Sequence, residues 1–258
     1  ITVHVEEGEY LGDVIKRMGI KDPSLIKNLK LTGCIDNLES FNFIHNNIPY
    51  LEAINLKELR TKHMRSHWIY DEGEDEYGQP NFADDYIPAG TGGFQTPAAG
   101  NGRGPECFES MEFLQYVVWP DHLKGIGDFA FAGCPLRGSI ILPEGLKHIG
   151  SDVFGAYGHR PNNLTGELYI PSTVEYIGNN VFGGYDGQLC YISGEVVLPH
   201  EMKFLGNAFY NCPRLTGTIR IPEGLTEVNN FAAPNMTGDV IIPQGVKKVN
   251  GIGGQPSS

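Results

Sequence analysis

LTGELYIPSTVEYIGNNVF, residues 164–182, decides how this chain folds. Within it Glu167-Leu168-Tyr169-Ile170 reads with the two-residue period of a strand. Gly166 permits a tight corner ahead of that strand, and Pro171, which has no N–H to give a ladder, ends it. Val174 and Ile177 then supply two apolar side chains, Gly178 a second corner, and Phe182 a large apolar ring. So short a unit has one apolar side and nothing of its own to bury it against.

The same register runs outward in both directions. A proline closes an apolar strand at Pro120, Pro143, Pro171, Pro199, Pro222 and Pro243, in steps of 23, 28, 28, 23 and 21 residues. A glycine stands five residues before the last five of these, at Gly138, Gly166, Gly194, Gly217 and Gly238. Three residues after each proline comes Leu123, Leu146, Val174, Met202, Leu225 or Val246, and six after comes Ile126, Ile149, Ile177, Leu205, Val228 or Val249. Glycine follows at Gly127, Gly150, Gly178 and Gly206, giving way to Asn229 and Asn250; a phenylalanine then follows at Phe131, Phe154, Phe182, Phe209 and, more loosely, Phe231. Repeated units of this kind bury their apolar sides by stacking, each coil completing the core and the hydrogen bonding of the next. Parallel strands about 4.8 Å apart are expected, with the phenylalanines piled into an internal spine. The two longer steps place insertions at residues 155–163 and 183–191, on one edge of the array.

Residues 1–60 read as a helical N-terminal cap with first strands. Tyr10, Leu11, Val14, Ile15 and Met18 fall at helical spacing, as do Leu38, Phe41, Ile44 and Ile48, with strands expected at 28–31 and 51–56. These strands should join the repeat sheet and shield its first edge. Residues 61–106 read as an irregular acidic, Gly-rich loop region, without periodicity over 71–106, and residues 107–258 as six repeat coils.

Composition narrows the function. The formal net charge is −12, a sign that disfavours nucleic acid and anionic lipid as partners. No apolar run approaches the roughly 20 residues that span a bilayer. The sequence opens at Ile1 without an initiator Met or a signal peptide, which fits a chain trimmed of an export signal. Five cysteines with no C-x-x-C pair indicate neither a zinc site nor a full disulfide framework, and Cys134 and Cys212, at one repeat position, read as buried fillers.

The stretches "LTGELYIPSTVEYIGNNVF" and "LTGTIRIPEGLTEV", with "IGDFAFAGC" and "LGNAFYNC", resemble BspA-like leucine-rich repeats, and "LKLTG…FNFIHNNIPYLEAINL" resembles the lead-in of such proteins. The likeness covers most of the chain from about residue 28 onward. It implies an α+β repeat solenoid: a leucine-rich-repeat right-handed parallel β solenoid, exported and displayed at a bacterial surface, often as a lipoprotein. Some members of that family are similar to adhesins. Two departures stand out, degraded Gly and Phe positions in the final coils and the longer acidic loop before the first regular coil.

The residues one and three before each proline are expected to point inward: Val117/Trp119, Ile140/Leu142, Leu168/Ile170, Val196/Leu198, Ile219/Ile221 and Val240/Ile242. Those two before it then face outward: Val118, Ile141, Tyr169, Val197, Arg220 and Ile241, a mostly apolar row beside a polar one that includes Glu167 and Glu195. This is the candidate ligand-binding face, for a protein or glycan on host or bacterial surfaces, since large exposed apolar patches mark interaction sites. The plain alternative is that strands favour Val, Ile and Tyr on either face, or that a loop covers the row.

Catalytic and cofactor constellations weigh against an enzyme, and no cofactor or metal is expected. Gly125-x-Gly127-x-x-Ala130 imitates a dinucleotide fingerprint but recurs in diluted form as a repeat corner, with no helix after it. Gly100-x-Gly102-x-Gly104 lacks the Lys-Ser/Thr of a phosphate loop. Asp71, Glu72, Glu74, Asp75 and Glu76 could gather calcium but read as a solvated charge run, and His63 and His67 have no evident third metal ligand. Asn163-Leu-Thr165 and Asn235-Met-Thr237 match the glycosylation sequon only through the repeat. Glu167 and Glu195, one coil apart, leave a sugar-cleaving pair on a parallel β-helix as the remote alternative. Self-association through the degraded C-terminal edge is the other.

Overall fold

The computed structural model of the chain describes residues 1–62, 84–90, 107–155, 163–183, 190–210, 212–229 and 239–250. The first part holds β1 (Thr2–Val5), α1 (Leu11–Arg17), a 3₁₀ turn (Pro23–Leu25), β2 (Asn28–Ile35), α2 (Leu38–Asn47) and β3 (Ala53–Thr61). α1 buries Leu11, Val14 and Ile15, and carries Asp13 in its first turn and Lys16 and Arg17 in its last, the charge order that suits the helix dipole. α2 begins on Asn37, whose side chain accepts from the Ser40 N–H at 3.0 Å, and buries Leu38, Phe41 and Ile44. Ser40 Oγ in turn accepts from the Leu11 N–H at 3.0 Å and ties the two helices together.

Strands of two to seven residues follow: β4 (Tyr86–Ile87), β5 (Tyr116–Val118), β6 (Gly125–Ile126), β7 (Arg137–Ile141), β8 (His148–Ile149), β9 (Asn163–Tyr169), β10 (Tyr176–Ile177), β11 (Phe204–Leu205), β12 (Ile219–Arg220), β13 (Glu227–Asn229), β14 (Val240–Ile241) and β15 (Lys248–Asn250). Every strand pairing among the described residues is parallel. One sheet runs β1-β2-β3-β5 and a second β11-β10-β8-β6-β4; β7 pairs β9, β12 pairs β14 and β13 pairs β15. Single hydrogen bonds continue the first row where the ladders lapse: Arg137 N–H to the Gln115 carbonyl at 3.1 Å, Ser193 to Gly166 at 3.2 Å, and Thr216 to Gly194 at 2.9 Å. The repeat fold expected from the sequence is present in this parallel pairing. Strands β2 and β3 extend past the segments expected for them, and β3 joins β5, the first strand of the proline register.

The core follows the periodicity. Leu123, Leu146, Val174, Met202 and Leu225 are buried, as are Ile126, Ile149, Ile177, Leu205 and Val228. Phe131, Phe154, Phe182 and Phe209 stack in order at 6.1, 5.6 and 5.4 Å, with rings within 19° of parallel. The spine is longer than expected. Phe108 lies on Phe131 at 4.9 Å, and Phe41 of α2 meets Phe108 edge-on at 6.0 Å.

Three expectations need correction. Residues 84–90, read as part of an irregular loop, contain β4, which pairs β6 as its neighbour in the second sheet. Insertions on either side hide this strand from any spacing argument. β1 was not anticipated, although Val3 and Val5 alternate with exposed neighbours. Ile242, expected inside, is 39% exposed, and Val249, at a position buried in earlier coils, is 42% exposed, because no described strand packs beyond the last coil. Val240 is half-buried there, and so are Val117, Trp119 and Leu198 in earlier coils, whereas the other inward pairs are buried.

Candidate binding face

The outward row lies where the strand period puts it. Val118 is 46% exposed, Ile141 66%, Tyr169 47%, Val197 76% and Ile241 41%, and Arg220 is exposed as well. β7 pairing β9 brings Ile141 beside Tyr169, and β12 pairing β14 brings Arg220 beside Ile241. Tyr116, Ser139, Glu167, Glu195, Thr218 and Asp239 form the adjacent exposed row. The face is therefore apolar along one line and polar along the next. At its N-terminal end a shallow groove of about 220 Å³ is lined by Ile1, Leu29, Ile54, Tyr116 and Val118 among others.

Hydrogen bonds fix parts of this surface. The Tyr169 hydroxyl donates to Glu144 Oε1 at 2.5 Å, and that bond to a carboxylate holds the phenol above its ordinary pKa. Ser139 Oγ accepts from the Glu167 N–H at 3.1 Å. The Glu167 side chain passes by Gly194, with its Cγ 3.9 Å from where a β-carbon there would stand, and the Glu195 carboxyl carbon lies 2.8 Å from the matching point at Gly217. Both therefore reach toward the next coil. They form rungs of one ladder rather than an acid and a base facing each other across a cleft.

A second polar surface escaped the sequence reading. Asp128, Ser151, Asn179 and Asn207, each directly after a repeat glycine, bond coil to coil. Asp128 Oδ1 accepts from the Ser151 N–H at 2.6 Å, Ser151 Oγ from Asn179 at 3.1 Å, and Asn179 Oδ1 from Asn207 at 3.2 Å. These residues line a groove of about 480 Å³ with Phe129, Asp152 and Asn180. Phe129, Asp152 and Asn180 take positive φ of 58°, 55° and 49°. The glycine in front is required by the close approach: a β-carbon on Gly150 would lie 2.6 Å from the Asp128 amide nitrogen and still nearer its Oδ1. The signal was available in the polar residue after each glycine.

Charge pairs cross the second sheet in the same manner. Glu175 receives Lys147 at 2.5 Å and also Lys203, and these two hydrogen bonds hold its carboxyl below the usual carboxylate range. At β3, Arg60 grips Asp85 with two nitrogens at 2.6 and 2.7 Å. Among the described residues no group of three or more His, Cys, Asp or Glu is placed to hold a metal ion. No described helix is long and apolar enough to cross a membrane. After β6, residues 127–133 form turns rather than the helix a dinucleotide site needs. His63 and His67, the acidic run 71–76, Gly100–Gly104, Phe231 and Asn235 lie outside the described residues.

Residues 103–236, just over half of the chain, match the BspA type leucine-rich repeat region in six copies. The chain belongs to this family. The BspA type repeats thus span both the regular coils and Phe108, the ring that extends the spine toward α2. No curated protein matches the chain. Among solved structures, it is similar to a leucine-rich repeat protein from Bacteroides ovatus, with 15% identity, 97% of this chain and 71% of that chain covered, and a TM-score of 0.26. It is also similar to a leucine-rich cell surface protein from Faecalibacterium prausnitzii, with 13% identity, 99% and 79% covered, and a TM-score of 0.22.

Proposed function

We propose that this BspA type repeat chain is a non-enzymatic binding module that takes a protein or glycan ligand on Val118, Ile141, Tyr169, Val197, Arg220 and Ile241, with Glu167 and Glu195 along the rim. The observation that carries this reading is the set of exposed apolar side chains at one repeat position, Val118, Ile141, Tyr169 and Ile241 on β5, β7, β9 and β14 and Val197 on the coil between, all five at least 41% exposed. Isolated exposed apolar residues need no explanation, but a contiguous line of them favours an interaction surface. In this reading the coils wind into a right-handed solenoid over residues 107–258, with residues 1–60 as its helical cap and 61–106 as a connecting region. Secretion, display at a cell surface as a lipoprotein, and a role in adhesion are the setting we infer for it.

The test pairs Tyr169→Ser with Val197→Asp in one chain and applies it, beside the unchanged protein, to an array of immobilised host matrix glycoproteins, bacterial surface proteins and glycans. At least tenfold weaker binding to a spot that the unchanged chain recognises supports the face, provided the circular dichroism is unaltered. Equal binding by a folded variant refutes it.

A second reading, self-assembly, draws on the last coil, where β15 is exposed throughout and Ile242 and Val249 are uncovered. Uncovered parallel edges recruit further strands. Light scattering that shows growing mass with concentration, abolished by Val249→Lys, favours it; a constant monomer mass excludes it. The sugar-cleaving alternative requires turnover on a glycan panel that Glu195→Gln abolishes.

A further inference from the structure

The carboxylates of the exposed face are arranged unlike those elsewhere in the chain. Elsewhere acids meet bases on the neighbouring coil: Glu52 has Lys27, Asp85 has Arg60, Glu175 has Lys147 and Lys203, and Glu227 has Lys248. On the face between β5 and β14, acids flank the apolar row from both sides. Glu167, Glu195 and Asp239 stand two residues before it, and Asp121, Glu144 and Glu223 directly after the prolines; all six are exposed. Alternate residues of a strand lie about 6.6 Å apart, so the first set borders one side of the row. The Tyr169 hydroxyl reaches Glu144 Oε1 of the preceding coil at 2.5 Å, which fixes the second set on the other side. Among the described residues none of the six makes an ion pair, and Arg220 is the one Lys or Arg within these three rows. Glu167 and Glu195 succeed one another and lean along the array in the same direction. Like charges on neighbouring strands repel, so the free chain carries an electrostatic cost here that a cationic partner would remove.

We propose that this face takes a basic amphipathic helix of a partner protein, its apolar stripe laid along Val118, Ile141, Tyr169 and Val197 and its Lys or Arg side chains reaching the carboxylates on either flank. Spacing selects the helix. Coils follow one another at about 4.8 Å, and a helix presents a contact about every 5.4 Å. An extended strand presents one only about every 6.6 Å and falls out of step within three coils. A neutral glycan would leave the carboxylates facing one another, and an anionic one would be repelled. The inference rests on the reading of this face as a ligand site and narrows the ligand to one chemistry.

The test titrates the full chain, by fluorescence anisotropy, with a synthetic helical peptide of about 14 residues that carries Leu along one stripe and Lys on its flanks. The same peptide with Glu in place of Lys serves as its counterpart. The Lys peptide should bind about tenfold more weakly to Glu167→Gln/Glu195→Gln and to Tyr169→Ser/Val197→Ser. Glu7→Gln/Glu39→Gln, which removes the same charge from exposed acids of the cap, should change binding by under about twofold. Because the two face carboxylates repel each other, Glu167→Gln/Glu195→Gln should melt no lower than the unchanged chain. Equal weakening by the face and cap pairs of Gln substitutions, comparable binding of the Glu peptide, no binding of the Lys peptide, or a lowered Tm overturns the proposal. If a glycan or an acidic protein instead binds the unchanged chain and is lost from Tyr169→Ser/Val197→Ser, the ligand face stands and this inference alone falls.

Discussion

Replacing Phe154 by alanine removes the middle ring of the spine. The side chain is 1% exposed, is stacked between Phe131 at 6.1 Å and Phe182 at 5.6 Å, and meets the edge of Trp119 at 6.0 Å. Deleting a buried phenylalanine costs about 3–5 kcal/mol, and each aromatic pair adds roughly 0.5–1.5 kcal/mol beyond burial. Three ring contacts put Phe154→Ala at the top of that range, about 5 kcal/mol, against a total native stability of roughly 5–15 kcal/mol. In a stacked array the loss falls on the two interfaces that the ring serves. Hydrogen exchange should therefore quicken by roughly a thousandfold or more at two amides, the energy above expressed as a rate ratio. These are the Phe131 and Phe154 N–H groups, which donate to Val153 and Val181 across those interfaces. A urea-derived loss below about 2 kcal/mol, with protection at Phe131 and Phe154 unchanged, would refute the claim that the spine carries coil-to-coil stability.

Two further outcomes follow from local geometry. Gly150→Ala drives a β-carbon into the Asp128 amide and should cost about 2 kcal/mol or more in urea unfolding. Gly138→Ala, which meets nothing within 4 Å but has φ +82°, should cost only about 1–2 kcal/mol, and the reverse order would mean that the polar ladder yields readily. Glu175→Gln removes a carboxylate whose pKa is lowered by Lys147 and Lys203, so its stabilisation is present above the unfolded carboxylate pKa and fades as pH falls through the folded one. The variant should be less stable at neutral pH by under about 1 kcal/mol and equal to the unchanged chain once both states are protonated; a gap that persists at low pH would contradict this.

Legibility from sequence tracked how strictly a feature repeats. The prolines fixed the strand ends and therefore which side chains face out, because a period of two leaves no freedom once one end is set. The helices around Val14 and Phe41 were equally plain, since their apolar residues recur at helical spacing. Tyr86 was missed for the opposite reason: it belongs to a coil, stacking near His148 at 6.1 Å, yet long insertions detach it from the count. Phe108, which stacks on Phe131, was in register all along, 23 residues before Phe131 as Phe131 is before Phe154. The Asp128–Ser151–Asn179–Asn207 ladder was missed because its members differ chemically while sharing one capacity, a short side chain with an oxygen that can accept. The rim glutamates show what spacing leaves out: sequence put Glu167 and Glu195 one coil apart, but only coordinates reveal that both lean the same way.

That polar ladder also has a direction. At each of its three bonds the later coil gives the amide hydrogen and the earlier one offers the oxygen. Cutting out one whole coil would splice an oxygen onto the next waiting amide, whereas inverting a coil would set like groups against each other. Length in such a chain is thus an adjustable quantity and orientation is not, so evolution or an engineer can add and remove turns freely while every turn must point the same way.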